Sequence, residues 1–223
     1  MVYPHERQVE YWISREIDGY FENEGYQIVV LPNSPRLEKH IPYDHLFAGR
    51  GVKVFGFQYK RLYRGSSDYW QIDVEQYNQL ARFDWIYYAL PQIRSIRESR
   101  NALHLVSIAT ARSLQPIVAA TSSRHANLST TALGMGNNKV SYYRWGGFIQ
   151  NLFGCRIGWK PKHEAELRAI LADTADLLQT LVDLYIIPLR KGPAVRISPF
   201  LAPLNDNQSE QGFDFGVENP DDR

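Results

Sequence analysis

The sequence predicts an α/β domain on a mixed sheet. Three features of the chain carry this: a helix-periodic opening, apolar β-branched and aromatic runs bounded by glycine and proline, and a second helical stretch lying between two such runs. Read in order they give α-β-β-β-α-β, with a helical elaboration towards the C-terminus. From His5 to Glu24, apolar Val9, Ile13, Ile17 and Tyr20/Phe21 recur at helical spacing among Glu6, Arg7, Glu10 and Arg15, which predicts an amphipathic helix. Gly25 ends it. The apolar run from Tyr26 to Leu31, closed by Pro32-Asn33-Ser34-Pro35, predicts a buried strand. Residues 41–48 and 52–63 are strand-like and joined by Gly49-Arg50-Gly51, so they predict a hairpin. Helical character from Ile72 to Ala81 and the aromatic run from Trp85 to Leu90, stopped at Pro91, complete the series.

Later in the chain, Leu103 to Ala109 reads as a strand, and the Ser/Thr/Asn/Gly-rich stretch from Thr121 to Asn138 as loop. Tyr142-Tyr143-Arg144-Trp145-Gly146-Gly147-Phe148 reads as an aromatic loop or packed turn. After Pro161, the stripe Leu167, Ile170/Leu171, Leu177/Leu178, Leu181 and Leu184/Tyr185 predicts a long helix over residues 161–187, ended by Pro188. That stripe either covers the chain's own sheet or forms a homodimer or a contact with a partner protein. The expected division is a core over residues 1–100, an extension over 101–192 that completes the same domain, and a poorly ordered acidic tail over 193–223.

Composition narrows the function classes. A net charge of +1 means that any nucleic-acid binding must come from local clusters of Lys and Arg. The single cysteine, Cys155, excludes an internal disulfide framework and a multi-cysteine zinc site, and leads to the expectation of a cytoplasmic protein. The six histidines show no metal-binding spacing, and no apolar run approaches the ~20 residues needed to cross a bilayer. Phosphate-cradling glycine loops, nucleophile elbows and dinucleotide fingerprints are likewise missing from the sequence.

The chemistry-bearing stretch is Pro42-Tyr43-Asp44-His45 followed by Phe57-Gln58-Tyr59-Lys60. In a hairpin that pairs Ala48 with Val52, Asp44 lies opposite Gly56, and Gln58 and Lys60 project from the same face. Phe55, Phe57 and Tyr59 then point to the other face and anchor the strand. Oxygen ligands suit Mg²⁺ or Mn²⁺: the Asp44 carboxylate, the Gln58 side-chain carbonyl and the Tyr59 backbone carbonyl could hold the ion, leaving Lys60 to stabilise developing charge or orient a water. A plainer reading makes Asp44 a strand-edge polar residue and Lys60, Arg61 and Arg64 a solvated edge.

With that spacing and element order, residues 10–90 resemble the PD-(D/E)XK nuclease superfamily, which has a restriction-endonuclease-like core. The resemblance implies a metal-dependent enzyme cleaving DNA, in prokaryotic restriction or phage defence, with Asp44, Gln58 and Lys60 as catalytic residues. It also implies a carboxylate from the first helix, for which Glu10 is the candidate. Gln58 stands where the family usually has an acid, a variant found in nuclease domains of anti-phage effectors. The alternative implied by that change is an inactive scaffold of the same fold, binding nucleic acid or a partner protein. Gln76 and Tyr77 resemble the Gln and Tyr that RecB-like members place after the triplet. Lys53, Arg61 and Arg64, interleaved with Tyr59, Tyr63, Tyr69 and Trp70, complete the expected nucleic-acid contacts together with Gln76.

Overall fold

A computed structural model describes residues 3–26, 28–31, 52–136, 139–162, 165–167, 169 and 183–188. Helix α1 (Glu6–Asn23) forms as its periodicity requires, burying Val9, Ile13, Ile17 and Phe21. Each such anchor contributes about 1.5–3 kcal/mol by leaving water, whereas intrinsic helix propensities differ by tenths of a kcal/mol, so packing fixes this helix. The strands are β1 (Val29–Leu31), β2 (Val52–Tyr59), β3 (Leu62–Tyr63), β4 (Tyr69–Asp73), β5 (Ile86–Pro91), β6 (Val106–Thr110), β7 (His125–Ser129) and β8 (Asp183–Pro188). Helices α2 (Val74–Leu80), α3 (Ala111–Ala119) and α4 (Trp145–Phe153) lie between them.

Five strands form a mixed sheet in the order β1-β8-β2-β5-β6, with β2 parallel to β5 and every other neighbour antiparallel. The protein is therefore α/β with a mixed sheet, as the sequence predicts. Strand β2 is central and buried along its whole length. Its odd-numbered residues Phe55, Phe57 and Tyr59 share a core with α1 and α4. Phe148 of α4 meets Phe55 and Phe57 at ring distances of 5.3 and 5.4 Å. Even-numbered Val52 and Val54 join a second core with α2, α3 and the small antiparallel sheet β3-β4-β7. The anchoring role expected for Phe55, Phe57 and Tyr59 is the one found.

Four expectations need correction. Gly56 pairs with Leu184 of β8 and Ile86 of β5, so the Ala48–Val52 hairpin that would set Asp44 opposite Gly56 does not form: both edges of β2 there are already taken. Asp44 itself lies outside the described residues. Residues 183–187 are not the end of a helix but part of β8, and Leu184 to Ile187 are all buried. A strand buried on both faces shows no alternation, and its apolar run coincides with the helical spacing of the preceding leucines. Leu178 and Leu181 lie outside the described residues, as does the acidic tail. The stretch from Thr121 to Asn138 contains β7, paired along its length with β4. Finally, the aromatic stretch after Tyr142 turns into helix at Trp145, and Trp145 and Phe148 are core residues.

Candidate catalytic site at the end of the central strand

Gln58 and Lys60 sit at the carboxyl end of β2 on its even-numbered face, 6% and 7% exposed. Parallel pairing places Tyr88 of β5 beside Gln58, and Lys60 N donates to Ala89 O at 3.1 Å. The amine of Lys60 lies 5.9 Å from the centre of the Tyr88 ring. Taking an ammonium out of water is costly without a partner. The partner is Gln76: Lys60 Nζ donates to Gln76 Oε1, while Gln76 Nε2 donates to Gln58 Oε1 at 3.1 Å. Gln58 Nε2 in turn donates to Tyr59 O at 2.9 Å. One side-chain amide thus ties Lys60 to Gln58 and fixes the orientation of both.

Local sequence explains why Gln76 is there. Asp73 is the N-cap of α2, and its Oδ1 accepts from Gln76 N at 2.9 Å. A capping residue with Gln three positions on starts a helix with the Gln in its first turn. Strand β4 thus hands over to α2 at a fixed point, and Gln76 faces β2. The backbone hydrogen bond from Gln76 is the main reason that the Asp73 carboxyl lies below the usual carboxylate range, with help from Arg124 and His125.

Charges around Lys60 act in opposite directions. Burial lowers the pKa of its amine, while the carboxylates of Glu6 and Asp73 raise it. Glu6 comes from the first turn of α1, and its Oε2 accepts from Arg61 N at 3.1 Å. The carboxylate of the first helix at this strand end is therefore Glu6. Glu10, the expected one, is half-buried one turn further along. Its neighbour one turn on, Ser14, shares hydrogen bonds with the hydroxyls of Tyr59 and Tyr185 on the opposite side of the sheet from Gln58 and Lys60.

The cationic residues separate. Lys53 is 3% exposed and donates to Ile157 O at 2.8 Å and Gly158 O at 3.4 Å, so it is a structural residue and not the nucleic-acid contact expected of it. Arg61 is half-buried with its Cζ 5.2 Å from the Tyr63 ring, and Arg64 is exposed. Trp70 and Tyr77 are buried, with the Trp70 indole donating to Pro91 O at 2.8 Å. Three residues escaped the sequence reading: Glu6, Asp73 and Tyr88. The capping pattern Asp73-Val74-Glu75-Gln76 could have revealed Asp73. Tyr88, whose buried hydroxyl has no hydrogen-bond partner among the described residues and whose pKa is raised by burial, left no such mark within its apolar run.

The oxygens at this end of β2 are the Gln58 side-chain carbonyl, the Tyr59 backbone carbonyl and, beside Arg61 N, the Glu6 carboxylate from α1. Gln58 Oε1 accepts one hydrogen bond and has a second lone pair. A hard divalent cation fits that chemistry. Among the described residues no three His, Cys, Asp or Glu side chains form a metal-binding group. Asp44, the expected acidic ligand, lies outside the described residues. Asp44 is eight residue steps from Val52, a span of at most ~29 Å, while the strand from Val52 to Gln58 rises ~20 Å. Asp44 is within reach of Gln58 without the hairpin. No protein-family model, curated protein or solved structure matches the chain. No helix among the described residues is long and apolar enough to cross a membrane.

Proposed function

We propose that the chain is a divalent-metal-dependent nuclease that hydrolyses DNA phosphodiester bonds, of the restriction or phage-defence kind, on a restriction-endonuclease-like core. The observation that carries this reading is the Lys60–Gln76–Gln58 chain. A buried lysine amine and a buried glutamine carbonyl are joined by a half-buried amide at the carboxyl end of a central parallel strand pair, where open α/β sheets bind ligands. Asp44, Gln58 and the Tyr59 carbonyl, with Glu6 from the first helix, would hold Mg²⁺ or Mn²⁺, which would supply charge neutralisation and an activated water. Lys60 provides a point charge for the phosphate as negative charge develops there, and Gln76 keeps that amine aimed. Arg61 and Arg64 continue the positive charge beyond the strand end.

The second reading is an inactive scaffold, favoured by one observation: Gln76 already occupies both Gln58 Oε1 and Lys60 Nζ. Plasmid and single-strand cleavage with Mg²⁺ or Mn²⁺ separates the two. The nuclease reading expects cleavage by the parent and its loss in Asp44→Ala and Lys60→Ala, both still folded. Absence of cleavage by the parent with either metal supports the scaffold.

A further inference from the structure

The small sheet β3-β4-β7 has one covered face and one open face. Trp70, Ile72, Ala126 and Leu128 point into the core, whereas the alternate residues Gln71 and Asn127 face outward, directly paired across the sheet. Tyr63 and Tyr69 are also a cross-strand pair, half-buried, with rings stacked at 5.6 Å and 19°. The Arg61 guanidinium lies over Tyr63, so cation, ring and ring form a series that starts one residue beyond Lys60. The β3–β4 turn closes against it: a Cβ on Gly65 would meet the Tyr69 ring at 3.2 Å and Ser67 O at 2.8 Å. Arg64 in that turn is exposed and makes no ion pair among the described residues. The acid on this face, Asp73, is already paired with Arg124 and His125.

We propose that this open face binds a single-stranded segment of DNA and leads it to the Gln58/Lys60 site. The outer face of the Arg61 guanidinium, held by the ring stack beneath it, accepts any base through its π-face, outward amides suit base edges, and Arg64 suits the backbone. A duplex hides its base faces within its own stack and offers this surface phosphates and groove edges but no ring faces. The binding face stands on its own geometry. The further step, that the nuclease substrate carries an unpaired segment, rests on the nuclease reading.

The test is fluorescence anisotropy in EDTA, where metal-dependent cleavage is off, using labelled oligothymidylate alone and annealed to its complement. The single strand binds at least about ten-fold tighter than the duplex, and Tyr63→Ala and Tyr69→Ala each weaken it about ten-fold, the loss expected for one stacked base. Tyr69→Phe, which keeps the stack, binds like the parent. Asn127→Glu puts a negative charge at an exposed strand position without touching the core, and weakens binding even if the tyrosine variants do not fold. Equal affinity for both probes, or parent affinity in Asn127→Glu, overturns the proposal. Binding without cleavage when Mg²⁺ is restored removes the nuclease reading alone, whereas cleavage without single-strand preference removes this platform alone.

Discussion

Lys53 and Lys60 stand seven positions apart on one line of chain, both buried, and burial lowers the pKa of both amines. Their partners differ. Lys53 ends on the backbone carbonyls of Ile157 and Gly158. Gly158 has φ +72°, and a Cβ there would lie 2.6 Å from Leu152, so a glycine lets this segment close over the lysine stem. Lys53 thus pins a loop to the central strand. Lys60 ends on a side-chain amide that also holds Gln58. An amide partner can rotate or yield to a ligand without unravelling backbone, whereas two carbonyls in a packed turn cannot. Burial of a lysine therefore marks nothing by itself, and the nature of its partner separates a structural amine from a candidate catalytic one.

That comparison can be broken by substitution. The largest effect belongs to the apolar face of the same strand: Phe57→Ala should cost about 3–5 kcal/mol of stability, read by chemical denaturation, and lose activity only by unfolding. Lys60→Met should lower the cleavage rate by about 10²–10³-fold with its melting temperature near that of the parent. Gln76→Leu should lower the rate about 10- to 100-fold, the range for groups that orient a functional side chain. It removes an acceptor that favours the charged amine, so the alkaline limb of the rate profile should move to lower pH. Lys53→Met should do the reverse of Lys60→Met, costing about 1–3 kcal/mol through the two carbonyls it leaves unbonded, with the rate within a few-fold of the parent.

The smallest effect is a linkage between pH and stability. Both lysines titrate lower in the folded chain than in the unfolded chain, where the value is about 10.4. Below the folded pKa the protonated amine penalises the folded state, and the penalty is relieved as pH rises through the folded value towards the unfolded one. Stability should therefore rise along the alkaline side, and Lys60→Met should flatten its share of that rise. Denaturation curves are best compared below pH 10. Above it Tyr87 and Tyr88, whose hydroxyl pKa values are raised by burial, reverse the trend because the unfolded chain loses those protons first.

Helix α1 and strands β2, β5 and β6 were legible because their residues carry local periodicity or compact apolar runs. The facing of Gln58 and Lys60 away from Phe55, Phe57 and Tyr59 followed from strand alternation alone. Partner choice was not legible. The glycines at 49 and 51 are a sequence signal for a local turn, while the strand that fills the neighbouring edge of β2 comes from residues 183–188. Helix α3 was missed because Pro116 lies within it. β7 was missed because outward His125 and Asn127 gave it a loop-like composition. The family resemblance points to Glu10 on the first helix, and helical spacing carries no information on where a helix end meets a sheet, so Glu6 left no mark.

The central claim is that a divalent ion sits at the Gln58–Lys60 end of β2, and it can be tested without knowing the substrate. Fe²⁺ in place of Mg²⁺, with ascorbate and peroxide, generates hydroxyl radicals that cut the polypeptide beside the bound ion, and mass spectrometry locates the cuts. The account predicts cuts at residues 58–60 and near Asp44, suppressed by excess Mg²⁺ and lost in Asp44→Ala. Cuts confined to other parts of the chain, or an identical pattern in Asp44→Ala, would contradict it.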